Sequence, residues 1–121
     1  MLYLGCIIVF ITCPIGEGER IARGLLKEKL AACVNIVRGV RSIYWWEEKI
    51  EESEEELLIC KSNEKLLSKL INTVKRVHSY EVPEILALRV YGGNSEYLNW
   101  VLNTVLGGGE HEAKWRGDRE V

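Results

Sequence analysis

The chemistry of this chain concentrates in one stretch, His78-Ser-Tyr-Glu-Val-Pro-Glu84, which places an imidazole, a phenol and two carboxylates within seven residues. A histidine at the end of a helix can act as its C-cap, where the dipole favours a positive ring. It can equally ligate a metal ion together with Cys13, if the end of the first strand approaches the end of the second helix. Thiolate plus imidazole suits copper or zinc rather than magnesium. The paired carboxylates Glu81 and Glu84 could in principle do acid–base work. However, there is no Ser-His-Asp set and no glycine-rich phosphate loop, and His111 is the one other histidine. The chain is therefore expected not to be an enzyme.

The four cysteines, Cys6, Cys13, Cys33 and Cys60, form no C-x-x-C pair. Structural zinc sites need such close pairs to present ligands from one turn. A disulfide framework is not expected in a chain of this size without a secretion signal. Cys6 and Cys60 sit in apolar strand-like runs and read as small buried hydrophobes.

A second informative stretch, Ser42-Ile-Tyr-Trp-Trp-Glu47, carries three aromatics on one hairpin arm. Side chains alternate along a strand, so Tyr44 and Trp46 share a side and Trp45 takes the other. Either Trp45 joins the core while the other two are partly exposed, or the hairpin is a docking surface. The second reading is preferred, because large apolar patches mark interfaces.

The elements that must position these groups follow from periodicity. Gly5 to Cys13 is continuously apolar and β-branched, as a strand buried on both faces would be. Glu17 to Leu30 repeats Ile21, Ala22, Leu25, Leu26 and Leu30 at helical spacing, and Gly24 inside it suggests close packing. Cys33 to Glu47 is a second strand with a bulge or bend at Gly39, and Lys49 to Ser62 is a third. The join at Glu47-Glu48 implies a hairpin, although neither residue is a natural φ > 0 former. Asn63 caps a helix over Glu64 to Val77, with the stripe Leu66, Leu67, Leu70, Ile71, Val74 and Val77. Glu84 to Tyr91 is a fourth strand, and Ser95 caps a last helix that Gly107 ends. The glutamate run from Glu51 to Glu56 reads as a solvated strand face.

The order β-α-β-β-α-β plus one helix specifies an α+β fold, the ferredoxin-like sandwich with both helices on one face of a four-stranded antiparallel sheet. The opposite face is left bare and needs a cover. Residues 1–107 form one domain and residues 108–121 a polar tail. The 121 residues are 47% hydrophobic and 28% charged, with net charge −2. A near-neutral chain with no clustered basic face argues against a nucleic-acid partner. No apolar run approaches the roughly 20 residues that span a bilayer, so no membrane is expected. With no basic leader or cleavage site, the expected setting is cytoplasmic. Seventeen of eighteen acids are glutamates and glutamine is absent, a lean towards heat adaptation that six asparagines weaken.

Several motifs in unbroken order resemble the CutA divalent-cation-tolerance family. They are Thr12-Cys13-Pro14, Glu19-Arg-Ile-Ala, Leu30-Ala-Ala-Cys-Val-Asn35, Val40-Arg-Ser-Ile-Tyr-Trp-Trp-Glu47, Lys61, Tyr80-Glu-Val-Pro-Glu84 and Tyr97-Leu-Asn-Trp100. Glu48 stands where the family commonly has a hairpin glycine. The resemblance implies a ferredoxin-like subunit in a compact homotrimer, with long hairpins pairing between copies. It also implies a cytoplasmic role in tolerance to copper and other divalent ions, with no required cofactor. Cys13 and His78 are the implied metal ligands, and the partners are divalent ions and other copies of the chain. An alternative that the resemblance allows is a PII-like signalling or small-molecule module using clefts between subunits. Candidate cleft or interface residues are Tyr44, Trp46, Glu47, Lys61, Tyr80, Glu81, Pro83, Glu84 and Trp100.

Overall fold

The computed structural model describes residues 4–107. Residues 108–121, and with them the expected polar tail, Trp115 and His111, lie outside the described residues. The elements are strand β1 (Cys6–Pro14), helix α1 (Gly18–Lys27), strands β2 (Cys33–Trp46) and β3 (Lys49–Asn63), helix α2 (Leu67–Val77), strand β4 (Ile85–Arg89) and helix α3 (Ser95–Leu106). The sheet runs β2-β3-β1-β4 with every neighbouring pair antiparallel.

The first strand is central, pairing with β3 on one side and β4 on the other. Its odd positions, Ile7, Val9, Ile11 and Cys13, join Leu58 and Cys60 of β3 in one core with Ile21 and Leu25 of α1 and Leu70 and Val74 of α2. Both helices therefore cover the same face. The even positions point the other way. There, α3 covers only one end, packing Leu98 and Val101 on Cys6. Beyond it the face stays open among the described residues: Phe10 pairs with Leu86 and Ile8 with Leu88, and those β4 leucines are 56% and 54% exposed.

Several local expectations are corrected. The first helix ends at Lys27 rather than Leu30. Lys29 takes φ +59, Leu30 N–H donates to the Leu25 carbonyl, and Lys29 N–H donates to the Leu26 carbonyl. This is a Schellman closure that tucks Leu30 into the core without a glycine. The expected close packing at Gly24 is absent, since a Cβ there meets nothing within 4 Å. Asn63 does cap, accepting from Lys65 N–H, but it starts a short 3₁₀ turn ahead of α2. The last helix is capped by Asn94, which accepts from Glu96 N–H, and Ser95 is its first helical residue. The bulge at Gly39 is present, at φ +76 with a register break between Val37 and Val40.

The hairpin arm projects beyond the body, so Trp45 is 72% exposed and does not join the core. Its two-residue turn holds Glu47 at φ +48 and Glu48 at φ +67. Both central residues positive is the type I′ pattern, which favours Asn-Gly, and a side-chain-bearing residue in the left-handed region costs roughly 1 kcal/mol. Replacing Glu47→Asn with Glu48→Gly should raise stability by about 1 kcal/mol, seen as a higher denaturant midpoint at unchanged slope. An unchanged midpoint would show that the turn carries no strain.

Candidate functional site

The end of β1 and the loop after α2 do meet, as the Cys13–His78 expectation required. His78 is buried, and its Nε2 lies 2.7 Å from the Thr12 carbonyl oxygen. Its Nδ1 accepts the Tyr80 backbone N–H at 3.0 Å. An acceptor Nδ1 requires the proton on Nε2, which then donates to the carbonyl. Both ring nitrogens are thereby engaged, and His78 N–H also closes α2 on the Val74 carbonyl.

Cys13 is fully buried on the helix-covered face. Burial first, and then the carboxylates of Glu56, Glu17 and Glu55, push its thiol up to about 11. A thiol so disfavoured as thiolate and an imidazole with both nitrogens bonded do not form a preformed two-ligand site. Among the described residues, no cluster of three or more His, Cys, Asp or Glu side chains is placed to hold an ion.

A cleft opens where the bare sheet face runs on to the hairpin arm. Tyr44, Trp46, Tyr80, Glu81 and Glu84 line it together, and Pro83 lies between lining residues Val82 and Glu84. Thr12 Oγ1 donates to Glu84 at 3.4 Å, and the Tyr80 hydroxyl donates to Glu55 at 2.8 Å. Burial, then that hydrogen bond to Glu55, pushes the Tyr80 phenol above its usual range. Three of the expected cleft residues lie elsewhere. Lys61 lines a smaller cavity with Tyr97, against α3, and donates to Asn35. Trp100 packs on Tyr97 at 5.5 Å between ring centres, and Glu47 sits in the hairpin turn.

The glutamate run is not uniformly a solvated face. Glu55 and Glu56 are buried, because β3 pairs them with Pro14 and Cys13 at the end of β1. Glu56 accepts from the N–H groups of Gly16 at 3.1 Å and Gly18 at 2.9 Å, so it caps α1 from a distance. The Glu17 side chain makes no cap bond. Sequence reasoning missed Glu55, Glu56 and Thr12. The available signal was Gly16-x-Gly18 at a helix start with no capping side chain of its own.

A sequence model described as CutA1 divalent ion tolerance protein matches residues 7–104. The chain is similar to "Protein CutA 1, chloroplastic" of Oryza sativa subsp. japonica, 52% identical over 99 residues, covering 81% of this chain and 56% of that protein. It is also similar to the "Divalent-cation tolerance protein CutA" of Thermus thermophilus, 48% identical over 95 residues, covering 78% of this chain and 92% of that one. The match thus spans little more than half of the plant relative's length. Among solved structures, CutA1 from Oryza sativa superposes with a TM-score of 0.82 at 49% identity, covering 85% of this chain and 95% of that chain. The motifs along the strands, the strand order and these matches agree: the chain belongs to the CutA1 divalent ion tolerance family.

Proposed function

We propose that the chain works as a homotrimer in divalent-cation tolerance, with a copper-type ion as its cargo and no catalytic step. The observation that carries this reading is the open apolar sheet face, with Phe10, Leu86 and Leu88 on a strand pair that no element among the described residues covers. An apolar patch of that kind, continuous with an aromatic hairpin arm, is the signature of an interface. The strand order β2-β3-β1-β4 supports reading the subunit as ferredoxin-like. Three copies is the number the family resemblance implies. Its partners are then other copies and the ion, with neither nucleic acid nor membrane, in a cytoplasmic setting that rests on the sequence expectation alone. Among the described residues no helix is long and apolar enough to cross a membrane.

Binding of an ion through Cys13 and His78 requires the ring to leave either the Thr12 carbonyl or the Tyr80 amide. It also requires a buried thiol to ionise, so the affinity is modest. Anaerobic calorimetry with copper or zinc on the assembled protein should show binding tighter than millimolar that weakens about tenfold, or 1.4 kcal/mol, in Cys13→Ser and in His78→Ala. Binding indifferent to both substitutions would remove these residues as ligands. No heat in the millimolar range would remove the copper reading.

A further inference from the structure

Charge is unevenly spread along this near-neutral chain. Residues 47–56, at the hairpin, hold seven glutamates and one lysine, whereas residues 65–80 hold four basic residues and no acid. Lys65 stands in the 3₁₀ turn ahead of α2, and Lys69 is in the first turn of α2 itself. Both are exposed, and among the described residues neither makes an ion pair.

The helix dipole accounts for some of these cations and not for others. Lys75 and Arg76 lie in the last turn of α2, and Lys27 in the last turn of α1, where the carbonyl end favours positive charge. Lys65 and Lys69 sit at the opposite end, where the amide groups favour an anion. They are also four residues apart, a spacing at which like charges repel. The Ser62 hydroxyl donates to the Leu30 carbonyl at 2.6 Å, which brings the end of α1 to the start of α2. Lys27 and Lys29 therefore share this end of the helix layer, and both are exposed and make no ion pair among the described residues. Glu28 and Glu64 are the acids here, and Glu64 lies 3.6 Å from Arg89. Cations kept against both the dipole and their mutual repulsion break a local rule of helix design, and such breaks concentrate at functional surfaces.

We propose that Lys27, Lys29, Lys65 and Lys69 form a docking surface for an acidic polypeptide segment. All four are lysines, mobile point charges that suit carboxylates spread along a chain. Nucleic-acid surfaces lean on arginine forks and on aromatic stacking, and this patch has neither. Helices that lie on membranes turn an apolar face to the lipid, whereas Leu70 and Val74 of α2 are buried in the chain's own core. The patch is on the helix-covered side of the sheet, opposite the face proposed to meet other copies, so it stands or falls separately from that reading.

The test uses the full-length protein in its native assembly and a fluorescein-labelled oligoglutamate peptide as the probe. Fluorescence anisotropy at about 50 mM salt should show binding that weakens at least about tenfold by about 500 mM, as screening requires. Lys65→Gln combined with Lys69→Gln should weaken it about tenfold. Arg20→Gln combined with Arg23→Gln removes the same charge from cations already held by Glu17 and Glu19, and should change binding less than about twofold. The lysine variant should also melt no lower than the parent, since it loses repulsion and an unfavourable dipole contact. A lower melting temperature would show that the lysines serve the helix instead. No binding at about 1 mM peptide, equal loss in the two variants, or tighter capture by duplex DNA or phosphatidylserine vesicles at the same salt would each overturn the proposal.

Discussion

Glu56→Ala should cost about 2–4 kcal/mol of stability, because it removes two charge-assisted hydrogen bonds from a buried carboxylate at a helix start. The Glu56 side chain bridges β3 to the turn before α1 by accepting from Gly16 N–H and Gly18 N–H. That turn is tight: Glu17 N–H donates to the Pro14 carbonyl, with Gly16 at φ +93. Gly18 is buried, so its freed N–H finds no water, whereas the exposed Gly16 can be rehydrated. The fit is close enough that a Cβ on Gly18 would lie 2.5 Å from Glu56 Oε1. Glu56→Gln keeps one good acceptor and should lose about half as much. Denaturant titration measures both. A loss under about 0.5 kcal/mol in the alanine variant, the scale of an ordinary surface change, would show that the carboxylate does not hold the turn.

The second large effect is on assembly rather than on the subunit. Leu86 and Leu88 are more than half exposed in one chain, so replacing both with glutamate costs an isolated subunit only about 0.5 kcal/mol per site. Against another copy the same change buries unpaired carboxylates, at several kcal/mol each. Every copy carries the change, so the penalty is repeated around the assembly. The double variant Leu86→Glu, Leu88→Glu should therefore sediment as a folded single chain, with circular dichroism like the parent's. A variant that keeps the parent's mass would place the interface elsewhere.

The order of elements was legible because each carries its own period: continuous apolar residues in β1, and helical stripes in α1 and α2. The bulge at Gly39 was legible too, since a lone glycine in a strand rarely has another meaning. What escaped the sequence depends on register. Glu51, Glu52 and Glu54 are exposed while Glu55 and Glu56 are buried, and only pairing with Pro14 and Cys13 tells them apart. The end of α1 was misplaced because Lys29 adopts a conformation that composition assigns to glycine, held there by Leu30 packing beneath it. At the candidate site, the approach of His78 to the end of β1 followed from topology. That both its nitrogens would be bonded by backbone did not, because backbone partners leave no mark in a pattern of side chains. Tyr44, Trp46, Tyr80, Glu81 and Glu84 line one cleft of the chain, where the hairpin arm passes the loop after α2. Lys61 lies on the same sheet face as Glu55 but six residues along β3, beside α3.

On the proposal above, other copies of the chain cover the open face of the sheet. Sedimentation equilibrium of the unmodified protein at micromolar concentration should then give a single species of three times the 13.8 kDa chain mass. A stable single-chain species across that range would contradict it, and would leave Phe10, Leu86 and Leu88 facing water with no account of why they are apolar.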